Sequence, residues 1–483
     1  MLYKKKLIIM ILSIIIIFFT VSAIVVINST GEADKFSTIK SFVPDKLKRY
    51  LKGNLSYFKA KSYKQEIIVL QSLYIELNKK RVASWRFVSE NYMNNMELSL
   101  IEKSSENITA SNNIMYNLKK YTIPFFDMNY YEWEQKPIGY IEQTQEKVIF
   151  ITGNGSVFYF NKNDLNLSNT TLKKIETNLN EIILDEEFFN IGRVSVKDLL
   201  IKDDYVYMSY TREEKEDCYN TAIIRAELNF NFLNFKDFFV YEDCIPQTYQ
   251  EWNAHQVGGT MFSEEDSNNI FFSIGEFRER KWAQDKNSIF GKNISINIQN
   301  KEYKIISMGH RNVQGIFYDD ENKVLIMSEH GPRGGDELNI NYDIENEIEN
   351  YGWPISSYGE HYNKKYPRPE APLHKSHSKY GFIEPIKYWP ISIGVGRVKK
   401  VPENFSQKLT GNSFFVASMG WLPREGHETL HHLVFNEVFN KVTEENKILI
   451  NERIRDIDFD EENKLVYLVL ENSPAIAILK IKE

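Results

Sequence analysis

The chain has 483 residues, room for roughly three domains at about 150 residues each, or for one large all-β unit with smaller companions. Its formal charge is 59 − 66 = −7, which argues against the net basic footprint of a nucleic-acid binder. A hydrophobic fraction of 42% and an aromatic fraction of 14% argue against disorder over most of the length, and 2 cysteines are too few for a disulfide scaffold or a cysteine-only zinc site.

The first predicted element is a membrane span. Lys4, Lys5 and Lys6 precede an uncharged run from Leu7 to Ile27. As a helix this run is about 31 Å long, close to the roughly 30 Å hydrocarbon core. Lysines before the span keep the N-terminus in the cytoplasm and export the remainder. The alternative is a cleaved signal peptide ending near Val21-Ser22-Ala23. Both place the main domain outside the cytoplasm, in a periplasmic or extracellular space. Residues 1–30 are thus read as a cytoplasmic stub and anchor.

Residues 31–120 are rich in Lys, Ser and Asn, and Ile67, Leu70, Tyr74 and Leu77 recur at helical spacing. This stretch is expected to be a short helical membrane-proximal region, acting as a spacer, a small subdomain or a self-association helix.

Residues 121–483 have a β texture. An acidic or Asn-containing turn followed by a short apolar strand recurs six times: EKVIFITGNG, DDYVYMSYT, SNNIFFSIGE, ENKVLIMSEHG, TGNSFFVASMG and ENKLVYLVLEN, beginning at Glu146, Asp203, Ser267, Glu321, Thr410 and Glu462. Several strands per repeat suit a four-stranded blade. The expected fold is therefore all-β, a six-bladed β-propeller, with residues 351–388 as an insertion; a pair of β-sandwiches is the alternative. Cys218 precedes one strand and Cys244 follows its expected partner, so they are expected to form a disulfide, or else to remain two buried thiols.

Four segments carry candidate chemistry: NAHQVGG at 253–259, GHRNVQG at 309–315, SEHGPRGGDELN at 328–339 followed by NYGWP at 350–354, and RIRD at 453–456. On these motifs the chain resembles the soluble quinoprotein glucose dehydrogenase and aldose sugar dehydrogenase family, also called the glucose/sorbosone dehydrogenase family. The resemblance begins near Val196 and runs to the C-terminus. It implies a six-bladed propeller that holds pyrroloquinoline quinone (PQQ) and calcium, oxidises an aldose sugar, and passes electrons to an acceptor in the periplasm or membrane.

Residue by residue, the resemblance makes His255 the base that takes the sugar hydroxyl proton, a task suited to a group titrating near neutral pH. Arg311, Arg453 and Arg455 are the expected partners of the cofactor carboxylates, because a guanidinium fork pairs with a carboxylate and stays charged. Asn312 is expected to orient the cofactor or the backbone beside it. The Gly331 and Pro332 carbonyls are the expected ligands of the cofactor calcium, and the Glu337 side chain and Tyr351 carbonyl those of a second, structural calcium. The chain departs from the family pattern at Ala254, where glucose enzymes have an acidic residue, at Phe277, where they have glutamine, and at Gly420, where many members have a cofactor-binding lysine. These departures favour a second reading, a propeller without catalysis that binds a carbohydrate or a protein. The HExxH pattern of zinc proteases also occurs, at 427–431, but Pro423, Gly426 and the strand-like LVFNEVF around it point to a polar loop rather than a helix.

Overall fold

The recurring turns work because a short acidic side chain can close them. Asp319 Oδ1 accepts from the Asn322 backbone N–H at 3.0 Å, and Asp460 Oδ1 does the same for Asn463 at 3.1 Å. Behind such turns lie strands of β-branched and aromatic residues, which fit a pleated surface buried on both faces. All six repeat signals fall on strands: Lys147–Thr152, Tyr205–Lys215, Asn269–Ile274, Val324–Glu329, Asn412–Ser418 and Leu465–Leu470.

The computed structural model describes residues 98–123, 138–166, 170–183, 195–248, 251–362, 368–420 and 426–482. The chain divides into two units, Met1–Glu76 and Leu77–Glu483, and all described residues belong to the second. The expected anchor at Leu7 to Ile27 and the helical face from Ile67 to Leu77 lie outside the described residues. Among the described residues no helix is long and apolar enough to cross a membrane.

The fold is all-β and propeller-like. Each repeat strand is the second of an antiparallel group, and the first strands of the groups neighbour one another in a closed cycle. That cycle runs Gly139–Gln143, Val196–Lys202, Gly258–Phe262, Val313–Asp319, Val395–Lys400, Ile454–Asp460 and back to Gly139–Gln143. Apolar side chains fill the gaps between neighbouring groups. The buried Phe414 meets Phe317 edge-to-face at 5.6 Å and Phe435 at 5.1 Å, tying two sheets together. Such pairs add about 0.5–1.5 kcal/mol to what burial alone supplies.

The ring closes through residues that the sequence reading placed elsewhere. Residues 98–120, expected within a helical membrane-proximal region, form the strands Leu98–Thr109 and Met115–Thr122. Met115–Thr122 pairs antiparallel with the last strand, Ala475–Ile481, from Tyr116 opposite Ile481 to Thr122 opposite Ala475. An N-terminal segment thereby completes the C-terminal sheet. The misreading has a physical cause: Leu98–Thr109 exposes most of its side chains, so its Lys-, Ser- and Glu-rich composition matches that of a spacer. The long-range partner, not the local sequence, makes it a strand.

Cys218 and Cys244 are joined in a disulfide, with Cα atoms 5.4 Å apart. The bridge lies beside the short pairing of Ile245–Pro246 with Cys218–Glu227.

Candidate functional site

The loops entering the inner strands and leaving the second strands emerge at one end of the ring, because adjacent strands are antiparallel. They enclose a cavity of about 730 Å³. Its lining includes His255, Arg311, Asn312, Gly331, Arg453 and Arg455, so six residues drawn from all four motif-bearing segments share one space. Of the nine expected site residues, Pro332, Glu337 and Tyr351 are absent from the lining.

His255 is carried on a loop that leads directly into Gly258–Phe262, and its backbone N–H donates to Asn253 Oδ1 at 2.8 Å. The loop then turns tightly. Gly259 has φ +100°, and a Cβ there would lie 2.4 Å from Lys197 Cβ, so only glycine lets this backbone pass the lysine that also lines the cavity. Asn312 serves the backbone: its Oδ1 accepts from the Gly258 N–H at 3.1 Å and from Gln314 Nε2 at 3.0 Å. It thereby ties the His255 loop to the Arg311 loop.

The Arg311 loop is held from behind. His310 is buried; its Nδ1 donates to Glu329 Oε2 at 2.8 Å, its Nε2 lies 2.8 Å from Ser307 Oγ, and its ring stacks on Tyr351 at 4.9 Å. Glu329 also accepts from the Arg311 backbone N–H. The Arg311 guanidinium donates to the His330 carbonyl at 2.9 Å and lies 5.5 Å from the Trp353 ring. With its amide oxygen turned toward Arg311, Gln256 accepts from Nη2 at 2.8 Å and donates to the buried Glu276. Burial pushes the Glu276 carboxyl up to about 7 against the opposing pull of Arg311. Burial, together with the charges of Arg311 and Arg455, pushes the His330 imidazole down to about 3, so this cavity residue is neutral near pH 7.

Arg453 and Arg455 reach the cavity together, as their i, i+2 spacing implies. Both converge on Glu471, with Arg453 Nε 2.7 Å from Oε2 and Arg455 Nη2 2.5 Å from Oε1. Burial works to raise the Glu471 carboxyl, but Arg455 and Arg453 outweigh it and hold the group below its ordinary range. Two guanidinium groups on one carboxylate leave one positive charge over. Lys197, Arg278 and Arg333 also line the cavity, while Asp336 is the acid among its lining residues. This surplus suits a guest with several carboxylates. PQQ, a tricarboxylate, therefore fits the donor set.

Sequence reasoning quoted Asp336 without giving it a role and did not single out Glu471. Asp336 fastens two turns at the cavity wall: Oδ1 accepts from the Gly331 N–H at 3.1 Å and Oδ2 from the Gly394 N–H at 2.6 Å. Burial pushes its carboxyl up to about 6, opposed by these backbone N–H groups. Three of the four expected calcium ligands, Pro332, Glu337 and Tyr351, have protein partners. The Pro332 carbonyl accepts from the Gly335 N–H at 2.9 Å and from Ser392 Oγ at 3.2 Å, which occupies both lone pairs. Between Glu337 and Tyr351 stands His377, with Nδ1 2.9 Å from the Tyr351 carbonyl and Nε2 3.5 Å from Glu337 Oε1. The imidazole stands between the two residues expected to hold the structural calcium. Among the described residues no group of His, Cys, Asp or Glu side chains is arranged to hold a metal ion.

The three departures have structural counterparts. The Ala254 carbonyl accepts from Lys197 Nζ at 3.2 Å. Phe277 is fully buried and packs edge-to-face on Phe290 at 5.7 Å, so it contributes to the core rather than the cavity. Gly420 lines the cavity, with His427 directly against it. The HExxH pattern opens the strand Thr429–Phe435, which lacks the helical face that zinc ligation by this motif requires.

Residues 192–479 match the family model described as Glucose / Sorbosone dehydrogenase. Over 307 residues the chain is 26% identical to the aldose sugar dehydrogenase YliI of Escherichia coli strain K12, covering 58% of this chain and 76% of that protein. Among solved structures, the soluble aldose sugar dehydrogenase of Escherichia coli in the apo-form is similar with a TM-score of 0.55 and 20% identity, over 72% of this chain and 96% of that one. The holo form of the pyranose dehydrogenase PQQ domain from Coprinopsis cinerea is similar with a TM-score of 0.52 and 11% identity, over 71% and 92% of the two chains. At these identities the structural likenesses speak for the fold.

Proposed function

The chain belongs to the glucose/sorbosone dehydrogenase family, and from that premise we propose that it is a PQQ-dependent aldose dehydrogenase on a six-bladed propeller. In this proposal Leu7 to Ile27 anchors the chain, and the catalytic domain faces the periplasm or the cell exterior. The observation that carries the reading is the convergence of His255, Arg311, Arg453 and Arg455 on one cavity rich in positive charge.

When bound, the quinone supplies a two-electron acceptor for the hydride leaving the anomeric carbon. The protein does the rest. The His255 imidazole takes the proton of the anomeric hydroxyl through a ring nitrogen, which lets the C–H electrons depart. Arg311, Arg453 and Arg455 would hold the cofactor carboxylates, and Glu471 fixes the last two side chains so that little rotamer freedom would be lost on binding. Asn312 keeps the His255 and Arg311 loops in register. The positive surplus of the lining would favour a guest that gains negative charge. An electron acceptor in the periplasm or the membrane is part of this proposal.

A second reading, a propeller that binds a carbohydrate or protein without turnover, is favoured by Ala254 and Gly420, which remove charge from the expected pocket. One experiment separates the two. The purified protein is titrated with PQQ, with and without calcium, and dye reduction is followed with a panel of aldoses. Saturable binding with sugar-dependent dye reduction supports the dehydrogenase. Absence of both supports the second reading.

A further inference from the structure

At Gly420 the cavity wall has no side chain of its own, and the reason is steric. A Cβ built there would lie 2.2 Å from His427 Nδ1 and 2.3 Å from His427 Cγ. The His427 ring therefore fills the space that a side chain at 420 would take. It is 7% exposed and lines the cavity beside Met419 and Gly420. Met419 also accepts, through its carbonyl, from Arg453 Nη1, so this wall adjoins the arginine that faces the cavity.

The backbone that delivers His427 is clamped at three points. The Gly426 carbonyl lies 2.8 Å from His431 Nε2, and His431 Nδ1 is in turn 2.9 Å from Glu445 Oε1. The His427 carbonyl accepts from Thr429 Oγ1 at 2.7 Å. The Glu428 carbonyl accepts from the Asn451 N–H at 3.0 Å. Gly426 and Glu428 both have positive φ, +83° and +52°, so the chain turns sharply on either side of the histidine. The two histidines of the HExxH pattern thus have separate tasks: His431 fixes the turn and His427 faces the cavity.

We propose that His427 is a binding residue for the anionic quinone guest, supplying from the turn before Thr429–Phe435 the contact that the wall at Gly420 lacks. This inference rests on the quinone reading above.

The test measures PQQ affinity of the full-length protein by absorbance titration, alongside the thermal midpoint of the cofactor-free form. His427→Ala is expected to weaken binding about tenfold, the effect of losing one hydrogen bond to a charged group, while His427→Gln retains most of the affinity. Gly420→Lys alone is expected to weaken binding, because its side chain meets the His427 ring. The double variant Gly420→Lys with His427→Ala is expected to regain affinity, since the lysine then has room to reach the cavity. Unchanged affinity in His427→Ala, or weakening in every variant in step with a lower thermal midpoint and without recovery in the double variant, overturns the proposal. Failure of the unaltered protein to bind PQQ defeats the quinone reading itself, and this inference with it.

Discussion

Arg397 and Asp198 are 199 residues apart in sequence and paired at the centre of the ring, with Nη1 donating to Oδ2 at 2.9 Å. Arg397 also donates through Nε to Asp456 Oδ1 at 2.8 Å and through Nη1 to Thr260 Oγ1 at 2.7 Å. One buried guanidinium thus links four of the inner strands, and its partners leave no buried carboxylate of this set without a cation. Replacing Arg397 with Met would leave Asp198 and Asp456 buried and uncompensated. Breaking such a pair costs about 3–5 kcal/mol. Denaturant unfolding of Arg397→Met should show a loss of that order, and a loss below about 1 kcal/mol would contradict the structural role.

His255→Gln keeps the size and polarity of the side chain but removes the base. Turnover with aldoses should fall by about 10²–10⁴-fold, while PQQ affinity stays within a small factor of the unaltered protein. Steady-state dye reduction and cofactor titration measure the two separately. Retained turnover would remove His255 from its assigned role.

Glu276 gives a pH signature. Its carboxyl sits near 7 in the folded protein, above the ordinary 4.5, because burial disfavours the charged form. A raised carboxyl means that the folded state holds the proton more tightly than the unfolded chain. Its contribution to stability is therefore complete below about pH 4.5 and is lost as pH rises through 7, up to about 3 kcal/mol in all. Glu276→Gln should match the unaltered protein relatively closely at pH 5 and gain on it at pH 8. Thermal unfolding across a pH series checks this; equal slopes for both proteins would refute it.

His377 joins Glu337 to the Tyr351 carbonyl. His377→Ala should destabilise the fold by about 1–3 kcal/mol, because the buried Glu337 carboxyl keeps Asn339 but loses the imidazole. The gap left behind is bounded by a carboxylate and a carbonyl, oxygen donors of the kind calcium prefers. Added calcium should raise the thermal midpoint of the variant more than that of the unaltered protein. An identical calcium response in the two would show that His377 does not stand where a cation fits.

Much of the fold is legible locally. The six turn-and-strand signals are visible because an Asp- or Asn-containing turn and an apolar strand are both encoded within about ten residues. The motifs around His255, Arg311, Gly331 and Arg453 are equally local, and all four reach the cavity. The strand Met115–Thr122 escaped notice because its partner Ala475–Ile481 lies about three quarters of the chain away. Glu471 and His377 escaped for the same reason: a single Glu or His in ordinary surroundings carries no signal until its partners are known.

The sequence by itself determined the strand texture, the family motifs and the identity of the charged groups available to a guest. Tertiary structure decided which of those charges are spent on one another and which face the cavity. Glu471 neutralises half of an arginine pair, Arg397 is consumed by two aspartates below the site, and His427 enters a wall where Gly420 leaves room. The physical reason is that a buried charge or ring is assigned by distances of a few ångströms, between residues that the chain brings together only when the ring closes.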